Sequence, residues 1–238
     1  LTTEDQNVLM GISAGQHIVH GGGTGVGDNN TFVGHQAGMG GSSTNKATDN
    51  TAIGSCSLES VTTGTHNSFL GKRAGFTLTE GTYNVGNGFE SGDDITTGTG
   101  NTFIGAQAGK GVQTGDYNVC LGFKSGDSDG ANNLGSNKLV IHSDSDGTAT
   151  PATEALVYGD FSAGTLQVNA PGTGASSSNT FTVKNASGTY TGDVLSVEAS
   201  DAAGYNLISA SANGARVFKV DATGATYNDA NTYSTPAD

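Results

Sequence analysis

The chain has 238 residues, of which 39 are Gly and only 3 are Pro, with no Trp and 34% hydrophobic residues. This composition is a poor source of one large core and favours a repetitive scaffold in which each turn buries a thin strip of side chains. Nine Lys and Arg against 22 Asp and Glu give a formal net charge of −13, which would repel a nucleic-acid backbone. No apolar run approaches the roughly 20 residues of a membrane helix. We therefore expect neither nucleic-acid binding nor membrane insertion.

A nine-residue motif, Asn-x-x-x-Gly-x-x-x-(Gly/Leu), recurs through the first half of the chain. Its last five copies begin at a constant step of 17 residues, and the two earlier steps, 23 and 20, contain insertions. The copies begin at Asn7, Asn30, Asn50, Asn67, Asn84, Asn101 and Asn118. A unit of this size, with Gly-containing corners and two short strand-like segments, predicts one coil of a parallel β-roll.

Coils of such a roll stack about 4.8 Å apart, so the motif asparagines would lie above one another. We expect each side-chain amide to hydrogen-bond to the next, which makes the seven asparagines a structural ladder. The copy at Asn84 departs from the pattern, because Val85-Gly86-Asn87 stands where other copies carry two adjacent apolar residues. A locally thinner core is expected at that coil.

Adjacent apolar residues within the strands predict that the roll is covered on its outside. Neighbouring residues of a strand point to opposite faces, so only one of each pair can fill the roll interior. The stripe assigned to the core and to the oligomer interface comprises Phe32, Val33, Ile53, Phe69, Leu70, Phe103, Ile104 and Leu121. A repeating apolar stripe on a thin solenoid is most simply covered by copies of the same chain, which predicts a homo-oligomer.

The units NTFVGHQAG, NTAIGSCSL and NTFIGAQAG resemble the left-handed β-roll repeats of trimeric autotransporter adhesin heads, and still more those of bacteriophage tail fibres. The resemblance covers about residues 1–130. It implies an extracellular homotrimeric fibre, on a virion or a cell surface, that binds a surface glycan or another receptor. The implied function is structural, with attachment of a viral tail fibre to its host. The alternative is a bacterial cell-surface adhesin or the subunit of a self-polymerising extracellular filament.

The 17-residue period stops after Gly126, and the polar stretch DSDGANNLGSN predicts a boundary. Strand-like runs separated by turns follow at 138–142, 155–158, 165–168, 180–184, 193–198, 205–209 and 216–220. The predicted fold is all-β: a parallel, left-handed β-roll of about seven coils over 1–130, a β connector over 131–170 and an antiparallel C-terminal β-strand module over 171–238. A linker is expected at 170–179.

No motif of a catalytic nucleophile, a metal site or a cofactor site is evident, so we expect no enzyme activity, no cofactor and no metal. Four alternatives stay open: calcium bound by aspartates of Gly-rich turns, an ion bound by histidines on a trimer axis, a glycan-cleaving site between chains, and ice binding by Thr65, Thr82 and Thr99.

Cys56 and Cys120 lie about four coils apart, near 19 Å, which predicts two free thiols.

Overall fold

The computed structural model describes residues 6–19, 27–41, 45–127, 134–143 and 155–168, and the backbone of three strands between 206 and 227. The chain divides into two compact units, Leu1–Phe181 and Thr182–Asp238. The described residues form strands and turns and no helix, which confirms the all-β prediction. None of the described segments is therefore a helix long and apolar enough to span a membrane.

The first unit contains a ten-stranded sheet whose strands are adjacent in chain order. Each Asn motif supplies one three-residue strand: β1 (Val8–Met10), β2 (Thr31–Val33), β3 (Thr51–Ile53), β4 (Ser68–Leu70), β5 (Val85–Asn87), β6 (Thr102–Ile104) and β7 (Val119–Leu121). Every one of these strands pairs in parallel with the next. The predicted roll is therefore confirmed as a parallel β-solenoid of about six turns. Its left-handed coiling and its trimeric state stay predictions.

Each turn of the solenoid bends directly after its strand at a glycine that a larger residue could not replace without strain. Gly71, directly after β4, has φ 143°, and a Cβ on it would lie 2.2 Å from the carbonyl oxygen of Gly88 in the next turn. Gly75 follows in the left-handed conformation at φ 63°. The chain can make this corner because glycine adopts positive φ freely and lets the backbones of successive turns approach.

The parallel stack extends one strand beyond the predicted boundary at residue 130. β8 (Lys138–Ile141) pairs in parallel with β7, in a region expected to be a β connector outside the roll. Its Leu-Val-Ile sequence supplies the apolar residues that a further turn needs, and the backbone N–H of Lys138 donates to Oδ1 of Asn118 at 2.9 Å. Lys138 thus takes the place of an eighth asparagine and ends the column.

The sheet then changes from parallel to antiparallel pairing. β9 (Val157–Asp160) is antiparallel to β8, and β10 (Thr165–Val168) is antiparallel to β9. Lys138 Nζ donates to Asp160 Oδ2 at 2.5 Å, so an ion pair joins the last parallel strand to the first reversed one. Hydrogen bonds from Lys138 and then Ser162 hold the pKa of Asp160 well below its usual range.

The second unit contains a three-stranded antiparallel sheet made of β11 (Asn206–Ala212), β12 (Ala215–Asp221) and β13 (Thr226–Tyr227). The first two strands overlap the runs predicted at 205–209 and 216–220. The prediction of antiparallel strands after the solenoid is confirmed. The runs predicted at 180–184 and 193–198 and the linker predicted at 170–179 lie outside the described residues.

Candidate functional site

The seven motif asparagines form one continuous column along the solenoid. At each step from Asn30 to Asn101, the backbone N–H and the side-chain amide of one asparagine both donate to Oδ1 of the preceding one. For Asn84 both distances to Asn67 Oδ1 are 3.0 Å, and its second amide hydrogen is donated to Gly98 O at 2.8 Å. Asn7 begins the column, and Asn118 joins it through its backbone N–H.

This column fixes the position of every strand residue relative to its neighbours. The asparagines from Asn30 to Asn118 are fully buried, so their amides find hydrogen-bond partners only within the chain. Because the asparagine points inward, the residue two positions later also lies inside and the residue three positions later lies outside. The in-register pairing of the strands then turns each of these positions into a column of its own.

The inner column lies two residues after each asparagine and fills the solenoid with alternating large and small side chains. Its buried members are Phe32, Ala52, Phe69, Gly86, Phe103, Cys120 and Val140. Each phenylalanine ring extends over the small residue of a neighbouring strand or over the second glycine of its own motif. A Cβ added to Gly109, for example, would lie 2.1 Å from Cδ1 of Phe103.

The prediction of a thinner core at the Asn84 copy is wrong, because neighbouring turns fill the space. A Cβ on Gly86 would lie 2.3 Å from Cδ1 of the Phe69 ring, and one on Gly92 would lie 2.7 Å from Cδ2 of Phe103. The phenylalanines of the turns on either side therefore occupy the volume that the glycines of this turn leave. This compensation keeps the interior packed without a large residue in β5.

The outer stripe lies three residues after each asparagine, or after Lys138, and faces away from the core. It comprises Met10, Val33, Ile53, Leu70, Asn87, Ile104, Leu121 and Ile141, each paired with the next. Met10 is 64% exposed, Leu70 48%, Ile53 39% and Ile104 38%. Partly exposed aliphatic side chains at every level except Asn87 form an apolar surface that runs along the solenoid axis.

The residues predicted as one core and interface stripe are thus divided between two faces. Phe32, Phe69 and Phe103 are completely buried in the inner column. The aliphatic members lie in the outer stripe, and these are Val33, Ile53, Leu70, Ile104 and Leu121. Sequence reasoning missed three further members of the stripe: Met10, Asn87 and Ile141. Counting three positions from each inward asparagine would have found Met10 and Asn87, but Ile141 follows Lys138 and lacks that signal.

No family model, curated protein or solved structure matches this chain. What the chain does must therefore be inferred from the chemistry of its own surfaces.

A charged cluster at one corner links three successive turns. Arg73 Nη2 donates to Asp93 Oδ2 at 3.0 Å, while Glu90 Oε2 accepts from Gln107 at 2.8 Å and from Lys110 at 3.1 Å. The hydrogen bond to Asp93 raises the pKa of Arg73, and burial raises the pKa of Asp93. Burial opposes the ionisation of Glu90, but the bonds from Gln107 and Lys110 outweigh it and lower its pKa. These paired charges link turns of the scaffold.

Among the residues that the structure describes, no group of three or more His, Cys, Asp or Glu is placed to hold a metal ion. His17 Nδ1 lies 3.1 Å from the carbonyl oxygen of Gly40, and His20, its neighbour in the sequence pattern, lies outside the described residues. Cys56 and Cys120 are both free thiols, as predicted. Burial in the inner column raises the pKa of Cys120 to about 12, so this thiol is chemically protected.

Proposed function

We propose that this chain is a structural, non-enzymatic segment of a homotrimeric extracellular fibre that attaches to a host surface, as viral tail fibres do. The observation that carries the proposal is the outer stripe, which is aliphatic at every level from Met10 to Ile141 except at Asn87. A solenoid that filled only its own interior would have no need of apolar residues at these positions. Instead, an apolar edge follows its whole length.

A second copy of this chain is the partner that fits the stripe. Its levels repeat with the strand spacing of about 4.8 Å and extend over roughly 34 Å. Another copy has the same rise per turn and the same residues at each level. Its side chains can therefore interdigitate with the stripe at every level along its length. A globular partner has no such periodicity. Closed symmetry around the long axis would cover the stripes of all copies equally.

The energetics favour such an assembly. The inner column is already completely buried from Phe32 to Val140, so the solenoid has no room to take the outer side chains inside. Completing the burial of one half-exposed Leu or Ile contributes about 1 kcal/mol. Seven aliphatic levels per chain would together contribute several kcal/mol, which offsets the entropy cost of association.

Attachment follows from the parallel display of identical surfaces. Three weak sites on one fibre bind a surface together much more tightly than one site alone. The candidate contacts for a surface glycan or another receptor are the inserted loops at 16–28 and 39–49, which lie partly outside the described residues. Insertions in a solenoid project to one side and leave the stacked strands intact.

Charge placed on the outer stripe tests the assembly. We expect the full chain to sediment as a trimer of 23.7 kDa subunits, and Leu70→Asp and Ile104→Asp to sediment as folded monomers, because a buried carboxylate without a partner opposes association. Gln113→Asp is the matched control, since Gln113 is exposed on another face. A wild-type chain that is monomeric at micromolar concentration would contradict the proposal.

Binding of the fluorescently labelled chain to glycan arrays and to intact cells tests the attachment function. We expect retention by the trimer and a loss of about a hundredfold in apparent affinity for the monomeric Leu70→Asp variant. A stable trimer that binds no surface would leave a fibre without the attachment role.

A bacterial adhesin or self-polymerising filament is the second candidate, and the ends of the described sheet favour it. The side chains of β1 are exposed, with Val8 at 53%, and all four side chains of β10 are exposed at the other end. An exposed edge strand can pair with another chain. Electron microscopy at rising concentration separates the two candidates: filaments that lengthen favour polymerisation, whereas particles of constant length favour the trimeric fibre.

A further inference from the structure

Asn87 is the one polar residue of the outer stripe. It lies one turn from Leu70 on one side and one turn from Ile104 on the other. Its side chain is exposed, and among the described residues none forms a hydrogen bond with its amide. An asparagine at this position therefore contributes no visible bond to the fold of its own chain.

Asn84, in the same turn, differs from Asn87 in both burial and hydrogen bonding. It lies inside, is completely buried, and uses its amide to bond with Asn67, Asn101 and Gly98. The stacking of the turns is thus already specified by the inner ladder. Asn87 is free to serve a surface outside the chain.

We propose that Asn87 fixes the axial register of the assembled copies by pairing with the same residue of the other chains. This inference rests on the proposed homo-oligomer. Identical parallel chains without axial offset bring their Asn87 side chains to one level, where each amide can donate to and accept from its neighbours. An offset of one turn would place the amide against Leu70 or Ile104, buried and without a partner, which is costly.

The aliphatic residues of the outer stripe cannot specify the axial register of the chains. Met, Val, Ile and Leu occupy the other levels with the same rise, so their contacts alone would let a chain slip by one turn and lose only the contacts at its ends. One polar residue within a long apolar seam specifies register in coiled coils by the same physics. Asn87 makes one level of the outer stripe different from all the others.

Moving the asparagine along the stripe tests the proposal. The variant Asn87→Leu lacks the marker, and the double variant Leu70→Asn/Asn87→Leu carries it one turn away. Differently tagged chains are refolded together, and mixed trimers are counted by native mass spectrometry. Wild type and the double variant can bring all their asparagines to one level only with a one-turn offset, which costs the contacts at the ends, so we expect mixed trimers below the statistical fraction. Chains of Asn87→Leu should assemble with one another in several registers. They should also form mixed trimers with wild type more readily than the double variant does.

A spin label reports the register directly. A nitroxide at Lys72→Cys, in a Cys56→Ser background, lies at an exposed corner two residues after Leu70. Electron paramagnetic resonance should give one distance for chains with Asn87 and for the double variant, and several for Asn87→Leu. Asn87→Val provides a second unmarked variant, and Ile104→Val is the control that should keep one distance.

The outcomes separate this inference from the function on which it rests. A monomeric wild type would overturn both. A trimeric wild type that mixes freely with the double variant, together with a single distance for Asn87→Leu and Asn87→Val, would overturn the register role alone. The supporting result has two parts. Mixed trimers of wild type and the double variant fall below the statistical fraction, and several distances appear only in the variants that lack the asparagine.

Discussion

The two sides of each strand solve different packing problems with neighbouring residues. On the inside, Phe69, Gly86 and Phe103 follow one another, and the Phe69 ring covers Gly86 while the Phe103 ring covers Gly92 of the same turn. On the outside, Leu70 and Ile104 are of similar size and stay half-exposed. Alternation in size completes the core within one chain. Uniform size produces a regular ridge that only another regular surface can match.

The composition of a column therefore indicates where its packing partner lies. A column that must fill a closed interior varies in size from turn to turn, because the total volume is fixed. A column that meets an identical chain keeps the same kind of side chain at each level. This difference can be tested by truncating one residue on each side of the same strand.

The largest expected effect is the loss of a core ring. Phe103→Ala should lower the free energy of unfolding by about 3–5 kcal/mol, because it leaves a cavity beside Gly92 and Gly109. Ile104→Ala, one residue away, should cost less than about 1 kcal/mol in the monomer, because its side chain is already partly hydrated.

Both truncations are measured by urea denaturation in the Leu70→Asp background, which removes the contribution of assembly. A loss for Ile104→Ala as large as that for Phe103→Ala would mean that the outer stripe packs within the chain. The contrast between the two faces would then fail.

The next effect concerns the two asparagines of one turn. Asn84→Ala should lower the free energy of unfolding by about 3 kcal/mol, since it leaves buried groups of Asn101 and Gly98 without partners. Asn87→Ala, on the outer face, should stay within about 0.5 kcal/mol in the same monomeric background. Equal losses at the two positions would show that an asparagine stabilises this turn for a reason other than the ladder.

The smallest effect is the alkaline pH dependence that the inner thiol produces. The pKa of Cys120 is about 12 in the fold, above the value near 8.5 of an unfolded cysteine. A pKa raised by folding adds no penalty below the unfolded value and costs stability as pH rises from there towards 12. Between pH 8 and pH 10 we expect a loss of about 2 kcal/mol.

The comparison of wild type with Cys120→Ala isolates this contribution, because other groups that titrate at high pH are common to both. Denaturation midpoints at pH 8, 9 and 10 give the measurement. A parallel pH dependence in the two proteins would mean that Cys120 is accessible to water in the fold.

The repeat unit and its strands could be predicted because glycine and asparagine mark the backbone of each turn. The inward direction of Asn67 also sets the phase of the strand, so Phe69 inside and Leu70 outside follow from alternation. The filling of the space over Gly86 could not be predicted from its own unit, since the Phe69 ring that occupies it belongs to the preceding turn.

The parallel pairing continues one strand beyond residue 130 for a similar reason. Lys138 replaces the asparagine that marks a turn, yet the ladder needs only its backbone N–H at that position. The pattern in the sequence stopped while the hydrogen bonding continued. In the second unit no residue recurs at a fixed step, so the sequence could suggest strands there but could not determine how they pair.

The alternation of large and small residues in the inner column also constrains how such a protein can change in length. Deleting or duplicating a single 17-residue turn would bring two phenylalanines, or two small residues, onto adjacent levels. A two-turn segment, such as the 34-residue step from Phe69 to Phe103, can be gained or lost with the alternation preserved. Homologous chains that diverge by tandem duplication should therefore differ by even numbers of turns.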